Sequence, residues 1–164
     1  MMPRGVIRTV TYRRANRQYV AMSEKEVWAF VTSKSKIFAA FPMNGGFPHV
    51  SPIWFCVLDG RLYLRTHAYK VKAHLARRGK ACLSIDEGES YRELKGVIIW
   101  GRSRLVTDAK TIRRIERVMK KKYEEKQWKP SQMPEAWVRD RQGEMRAFIE
   151  VSPQRISSWD NSKL

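Results

Sequence analysis

The run from Phe47 to Ile85 constrains the fold more than any other part of the chain: FPHVSPIWFCVLDGRLYLRTHAYKVKAHLARRGKACLSI. From Pro48 to Leu58 it is almost wholly apolar, holding Val50, Pro52, Ile53, Trp54, Phe55, Cys56, Val57 and Leu58. A run of that kind predicts a strand buried on both faces. Asp59-Gly60 then predicts a tight hairpin, because a type I′ turn needs positive φ at both central positions. Arg61 to Thr66 is the returning strand. Leu62 and Leu64 alternate there with Arg61, Tyr63 and Arg65, so one face is buried. A short helix is expected over roughly residues 69–78, apolar at Val71 and Leu75 and stopped by Gly79. Lys70, Lys72, Arg77 and Arg78 leave it strongly basic. Ala81 to Asp86 is the next strand.

The flanking segments fit around this centre. Ser23 and Glu26 form a capping box, and Val27, Trp28, Phe30 and Val31 give the helix that follows an apolar stripe. Lys36 to Phe41 reads as a strand, ended by a turn through Pro42, Asn44, Gly45 and Gly46. Val97 to Val106 is a long strand with a bulge or bend expected at Gly101. Thr107 or Asp108 caps a helix through about Tyr123, with Ile112, Ile115 and Met119 on one face. Lys120, Lys121 and Lys122 fall in its last turn, where cations suit the helix dipole. Residues 126–143 read as loop plus a short helix. Glu144 to Val151 is a final strand, and Ser152-Pro153 predicts a turn after it. Residues 1–20 read as a basic arm, loosely docked, that could lie over an anionic ligand; residues 21–164 form the folded domain.

About six hairpin-linked strands with helices at the flanks predict a mainly β fold, a small antiparallel barrel. Strands buried on both faces in a chain of 164 residues further predict that a second subunit covers part of the sheet. No apolar run reaches the ~20 residues of a bilayer span, and the basic N-terminus lacks a signal-peptide core. Cys56 and Cys82 stand apart, without the spacing of a zinc site or a disulfide framework. A cytoplasmic location is therefore expected, without a membrane partner.

The net charge of +17 fits either a solvated surface or a polyanionic partner. No Gly-rich phosphate loop, dinucleotide fingerprint or nucleophile elbow is present. His49, His67 and His74 lack metal-ligand spacing and read as surface or packed residues, so no catalytic and no metal-binding residue is assigned. What remains is anion binding where the strand ending at Thr66 meets the basic helix. The helix start offers free N–H groups, Thr66 a hydroxyl, and Lys70 and Lys72 charge. Pro52, Ile53 and Trp54 on the neighbouring strand could flank a planar ring.

These segments resemble the pyridoxamine 5′-phosphate oxidase-like superfamily, the flavin-binding split β-barrels. The resemblance rests on FPHVSPIWF, the DG turn, LYLRT, YKVKAHLARR, KACLSID, YRELKGVIIWGRSRLV and FIEVSPQRISSWD, in that order. It implies a homodimer of six-stranded antiparallel split barrels with cofactor sites at the subunit interface. Val50, Ser51, Pro52, Ile53 and Trp54 would line the cofactor ring. Thr66, Lys70 and Lys72 would meet its phosphate, with Arg65 nearby.

Departures from the family narrow the expectation. The second strand lacks the basic residues that help true pyridoxamine phosphate oxidases grip the flavin phosphate, having only His49. The ending SSWDNSKL lacks their substrate-binding arginine motif, so vitamin B6 oxidation is not expected. The chain looks closer to the branch that includes users of coenzyme F-420, a deazaflavin with an acidic oligoglutamate tail. FMN fits equally, because its phosphate needs only one cluster. The resemblance thus implies an oxidoreductase moving hydride between FMN or coenzyme F-420 and a small organic substrate. A cofactor carrier or sensor without turnover would use the same corner. A nucleic-acid-binding protein working through the basic arm and helices is the less expected third class, and would show steep salt dependence.

Overall fold

The hairpin at Asp59-Gly60 forms as the sequence predicts, with φ of 51° and 72° at its two central residues. In the computed structural model, residues 8–9, 19–126, 129–132, 134–135 and 146–164 are described. The basic arm lies mostly outside them, as does most of the segment between residues 126 and 146. Within them the elements are β1 (Arg8–Thr9), α1 (Glu24–Ser33), β2 (Lys36–Pro42), β3 (Pro48–Leu58) and β4 (Arg61–His67). There follow α2 (Val71–Ala76), β5 (Ala81–Glu87), β6 (Lys95–Leu105), α3 (Ala109–Tyr123) and β7 (Arg146–Asp160).

The sheet runs β7-β4-β3-β2-β5-β6 and closes by pairing β6 with β7, giving a six-stranded antiparallel barrel. β1 adds a short parallel pair to β7 at Arg155 and Ile156. Ile37, Phe41, Phe55, Leu62, Leu64, Leu83, Ile99 and Ile149 are fully buried and belong to the barrel core, together with Val27, Phe30 and Val31 of α1. Each such side chain contributes roughly 1.5–3 kcal/mol of burial free energy. Capping box and stripe in α1 are as expected: Ser23 accepts from Glu26 N–H, and Glu26 accepts from Ser23 N–H.

A second apolar cluster lies outside the barrel. α3 packs Ile115, Met119 and Tyr123 onto Cys56, Tyr63 and Phe148. Its N-cap is Asp108, which accepts from Thr111 N–H at 2.7 Å. This helix is what buries the second face of β3, and only over its second half. From Pro48 to Pro52 the strand is exposed or half-exposed, Val50 reaching 54%. Within the single chain, then, β3 is buried on both faces only over its second half.

Two expectations change. β7 does not turn at Ser152-Pro153 but continues to Asp160. β6 meets Pro153 with Gly101 and Arg155 with Trp100, so Gln154 is left over at a register shift. Pro153 lies at that shift and beyond the last β4 pair, Leu62 with Val151, where its missing N–H is tolerated. Gly101 is the predicted bulge position, and a Cβ there would lie 2.5 Å from the Ser152 carbonyl oxygen. The basic helix is also shorter than expected, α2 holding six residues. No helix among the described residues is long and apolar enough to cross a membrane.

Candidate functional site

β3 changes partners midway, and this creates the site. Lys36–Pro42 of β2 pairs with Pro48–Trp54. β4 pairs with β3 only over Phe55–Leu58, through Leu64 to Arg61. Arg65, Thr66 and His67 of β4 instead pair with β7 alone. Continuing the register would set Ile53 opposite Thr66, but no such pair forms. The two strands diverge there, and the barrel is split.

Strand alternation sorts the predicted residues onto the two sides of this split. Ile53, Phe55 and Val57 face the barrel core, as do Leu62 and Leu64. Ser51 and His49 continue the inward row on β3, and Thr66 continues it on β4. Lys72 reaches this row from α2: its ammonium donates to Ser51 Oγ at 3.0 Å. Thr66 is only 6% exposed, and its Oγ1 has no hydrogen-bond partner among the described residues. His49 Nε2 is likewise buried without a partner. Buried polar atoms normally find partners, so two unsatisfied ones in the row of Ser51 and Lys72 mark a place for a polar ligand. Burial lowers the Lys72 pKa, with repulsion from Lys70 adding to it.

The charge at this corner comes from Lys72 rather than from a helix terminus. With six residues, α2 is too short to offer the anion-binding N-terminus expected of it, and its N-cap Lys70 makes no side-chain capping bond. Lys70 stands outside the row, its ammonium 4.8 Å from the Tyr69 ring centroid. Ile53 is a buried core residue.

Val50, Pro52, Trp54 and Arg65 occupy the outward side. The Arg65 guanidinium lies 5.9 Å from the Trp54 ring centroid. Trp54 also stacks on Tyr123, with centroids 4.3 Å apart and planes 4° from parallel. One face of the indole is thus already taken by α3. The outward surface open to a planar ring is Val50 and Pro52, beside exposed Phe38 of the paired β2. His49 is the residue sequence reasoning passed over. Its alternation with Ser51 placed it on the same side, but only the split shows that this side is vacated by β4.

A barrel split between β3 and β4, with a cationic corner in the split and an apolar outer wall, is a split β-barrel. A family model described as pyridoxamine 5′-phosphate oxidase matches residues 23–160, and the chain belongs to that family. Among solved structures, a conserved hypothetical protein from Mycobacterium tuberculosis is 27% identical, with 93% of this chain and 92% of that one covered and a TM-score of 0.75. An FAD-binding protein from Mesorhizobium loti is 20% identical over 84% and 94% of the chains, with a TM-score of 0.62. The FAD-binding protein from Mycobacterium smegmatis is 18% identical over 82% and 93%, with a TM-score of 0.59. The last two likenesses bear on the fold alone. No curated protein matches the chain significantly.

Proposed function

We propose that this chain binds a flavin-type cofactor, FMN or coenzyme F-420, and works as an oxidoreductase exchanging hydride with a small organic substrate. The observation that carries the reading is Lys72 bonded to Ser51, on the inward row that Thr66, with its buried and unpartnered hydroxyl, continues on β4. These three groups, with His49, would hold the phosphate, and Val50 and Pro52 would back the ring. Family membership and the FAD-binding proteins of the same fold support a flavin as the ring.

The cofactor supplies the hydride chemistry; the chain binds it, orients it and keeps water from its face. The chain acts as a homodimer in this reading. Phe38 and Val50 are 49% and 54% exposed, and their row continues through Cys82 and Ser84 to the half-buried Ile98 and Trp100. An apolar face of that extent fits a second copy laid against it.

Fluorescence titration of the purified protein with FMN and with coenzyme F-420 tests the reading. Binding below about millimolar is expected for at least one of them. Lys70→Ala with Lys72→Ala should weaken it, and unchanged affinity in that double variant would move the phosphate elsewhere. A reductase assay with candidate acceptors then separates turnover from simple carriage.

A further inference from the structure

α3 turns Ile115, Met119 and Tyr123 onto the barrel, and its other side is largely cationic. At about 100° per residue, Lys110, Arg113, Arg117, Lys120 and Lys121 fall within one arc of about 100°, opposite the buried side. All of them are exposed. None enters a salt bridge among the described residues. Two neighbouring cations are engaged elsewhere, Arg114 on Asp59 at 2.9 Å and Lys122 over the Phe55 ring at 3.9 Å. Acids border the stripe without interrupting it, Glu116 at its edge and Glu124 and Glu125 past the end of the helix.

Stability of the fold does not account for this array. The helix dipole suits Lys120 and Lys121 in the last turn, does little for Arg113 and Arg117, and opposes Lys110 in the first turn. Arg113 with Arg117, and Arg117 with Lys121, are like charges four residues apart, a spacing that destabilises a helix. From Lys110 to Lys121 the stripe runs about 16 Å along the axis, one cation per about 4 Å. One strand of a DNA duplex presents a phosphate per about 3.4 Å of its own axis. Sign, straightness and spacing thus match. We infer that the outer side of α3 is a docking surface for the phosphate backbone of a nucleic-acid duplex, held by charge and without regard to base sequence. A membrane is the poorer fit, because the apolar side of α3 is taken up by the barrel. None of the exposed large apolar residues among those described lies on this helix. The surface is also separate from Lys72 and Ser51, which meet in the split, so it does not depend on the cofactor reading.

The test uses the full chain and two charge-matched triple variants. One replaces Arg113, Arg117 and Lys121 with Gln; the other replaces Lys25, Lys80 and Arg92, exposed cations on other elements, with Gln. Fluorescence anisotropy with a labelled DNA duplex of about 25 base pairs and arbitrary sequence is read at about 50, 100 and 200 mM salt. The unaltered chain should bind tighter than about 0.1 mM at the lowest salt, with affinity falling steeply as salt rises. The α3 variant should bind at least about tenfold more weakly there, and its slope of log affinity against log salt should flatten by about 0.9 for each contact removed. It should melt no lower than the unaltered chain, having lost like-charge pairs. The control variant should stay within about threefold of the unaltered chain. Equal losses in the two variants overturn the inference, by assigning binding to net charge rather than to this side of α3. A lower Tm for the α3 variant overturns it too, because the cations would then serve the fold. Binding to phosphatidylserine-containing vesicles with none to the duplex overturns it in favour of a lipid surface, and no duplex binding at the lowest salt removes it outright.

Discussion

The phenol of Tyr123 bonds both backbone polar groups of Phe55, accepting from its N–H at 2.9 Å and donating toward its carbonyl at 2.7 Å. The Ser35 carbonyl lies 2.8 Å from the same oxygen. The last pair of the β2–β3 ladder is Lys36 with Trp54. One more step would set Ser35 against Phe55, and the phenol stands in that place. Tyr123 thus ends one ladder of β3 at the residue where the other, with β4, begins. Burial, the larger effect, pushes its pKa up to about 12, so the hydroxyl keeps its proton.

Removing only that hydroxyl strands the Phe55 N–H and C=O in the core. Tyr123→Phe should therefore cost about 1–3 kcal/mol and lower Tm by several degrees. Tyr123→Leu should cost more, because it also takes away the ring stacked on Trp54. Urea unfolding of the two variants decides the matter. A Phe variant as stable as the parent would mean the strands close without the phenol.

Next to it, Lys122 makes a pH-dependent contribution. Its ammonium is buried without a hydrogen-bond partner, 3.9 Å from the Phe55 ring centroid, and burial lowers its pKa to about 8. The unfolded chain, titrating at the ordinary value of 10.5, then binds more protons between about pH 8 and about pH 10.5, so stability rises with pH across that window. Lys122→Met removes the charge and keeps the apolar stem. Allowing for partial exposure and the contact with Phe55, it should stabilise the fold at pH 7 by about 1 kcal/mol. The advantage should shrink above about pH 8. Thermal unfolding at pH 7 and at pH 9.5 reads both parts, and a variant less stable at pH 7 would sink the account.

What the sequence showed of this follows from where each signal resides. Hairpin, capping box and bulge depend on local backbone chemistry, so Asp59-Gly60, Ser23 with Glu26, and Gly101 could be placed from their own residues. Pro153 misled because its tolerance depends on a register shift set by another strand. Lys122 looked like Lys120 and Lys121, since nothing local says that only its ammonium turns in over Phe55. The split itself is a failure of pairing between β3 and β4, which no single strand encodes. Hence Thr66 and Lys72 could be named from the junction of strand and basic helix, and Ser51 by resemblance, while His49 needed the fold.

The lowered pKa of Lys72 gives the phosphate corner a pH signature. Burial, with Lys70 adding to it, makes the neutral amine accessible below lysine's ordinary 10.5. Only the ammonium attracts a phosphate dianion, so FMN affinity should decline as pH rises through the Lys72 pKa. Lys72→Arg should hold its affinity to higher pH, because guanidinium stays charged. Lys72→Met should bind more weakly with a flatter profile. Fluorescence titration from about pH 7 to about pH 10 compares the three. Parallel profiles for the parent and the Arg variant would exclude Lys72 as the titrating contact.

Glu150 offers a sharper electrostatic test, because its partner is exposed and it is not. Its residue is 3% exposed, while the Arg104 side chain is 60% exposed. Arg104 grips it with two bonds, Nε to Oε1 at 2.8 Å and Nη2 to Oε2 at 2.9 Å. Tyr63 donates to Oε2 at 3.1 Å, and Arg61 stands 3.8 Å away. Burial alone would raise the carboxyl pKa, but Arg104, Tyr63 and Arg61 together hold it below the ordinary 4.5. A lowered folded pKa means stability that is present above the unfolded value and lost as pH falls through the folded one. Glu150→Gln leaves Arg104 free to rehydrate and should cost about 1 kcal/mol at neutral pH. Arg104→Ala strips a buried carboxylate of its main partner and should cost about 2–3 kcal/mol. Acidification should narrow the gap between Arg104→Ala and the parent, because a protonated Glu150 no longer needs the cation. Denaturant unfolding near pH 7 and near pH 4 reads the order and the trend. A Glu150→Gln variant weaker than Arg104→Ala at neutral pH would show that the carboxylate, not the guanidinium, is the group the fold can spare least.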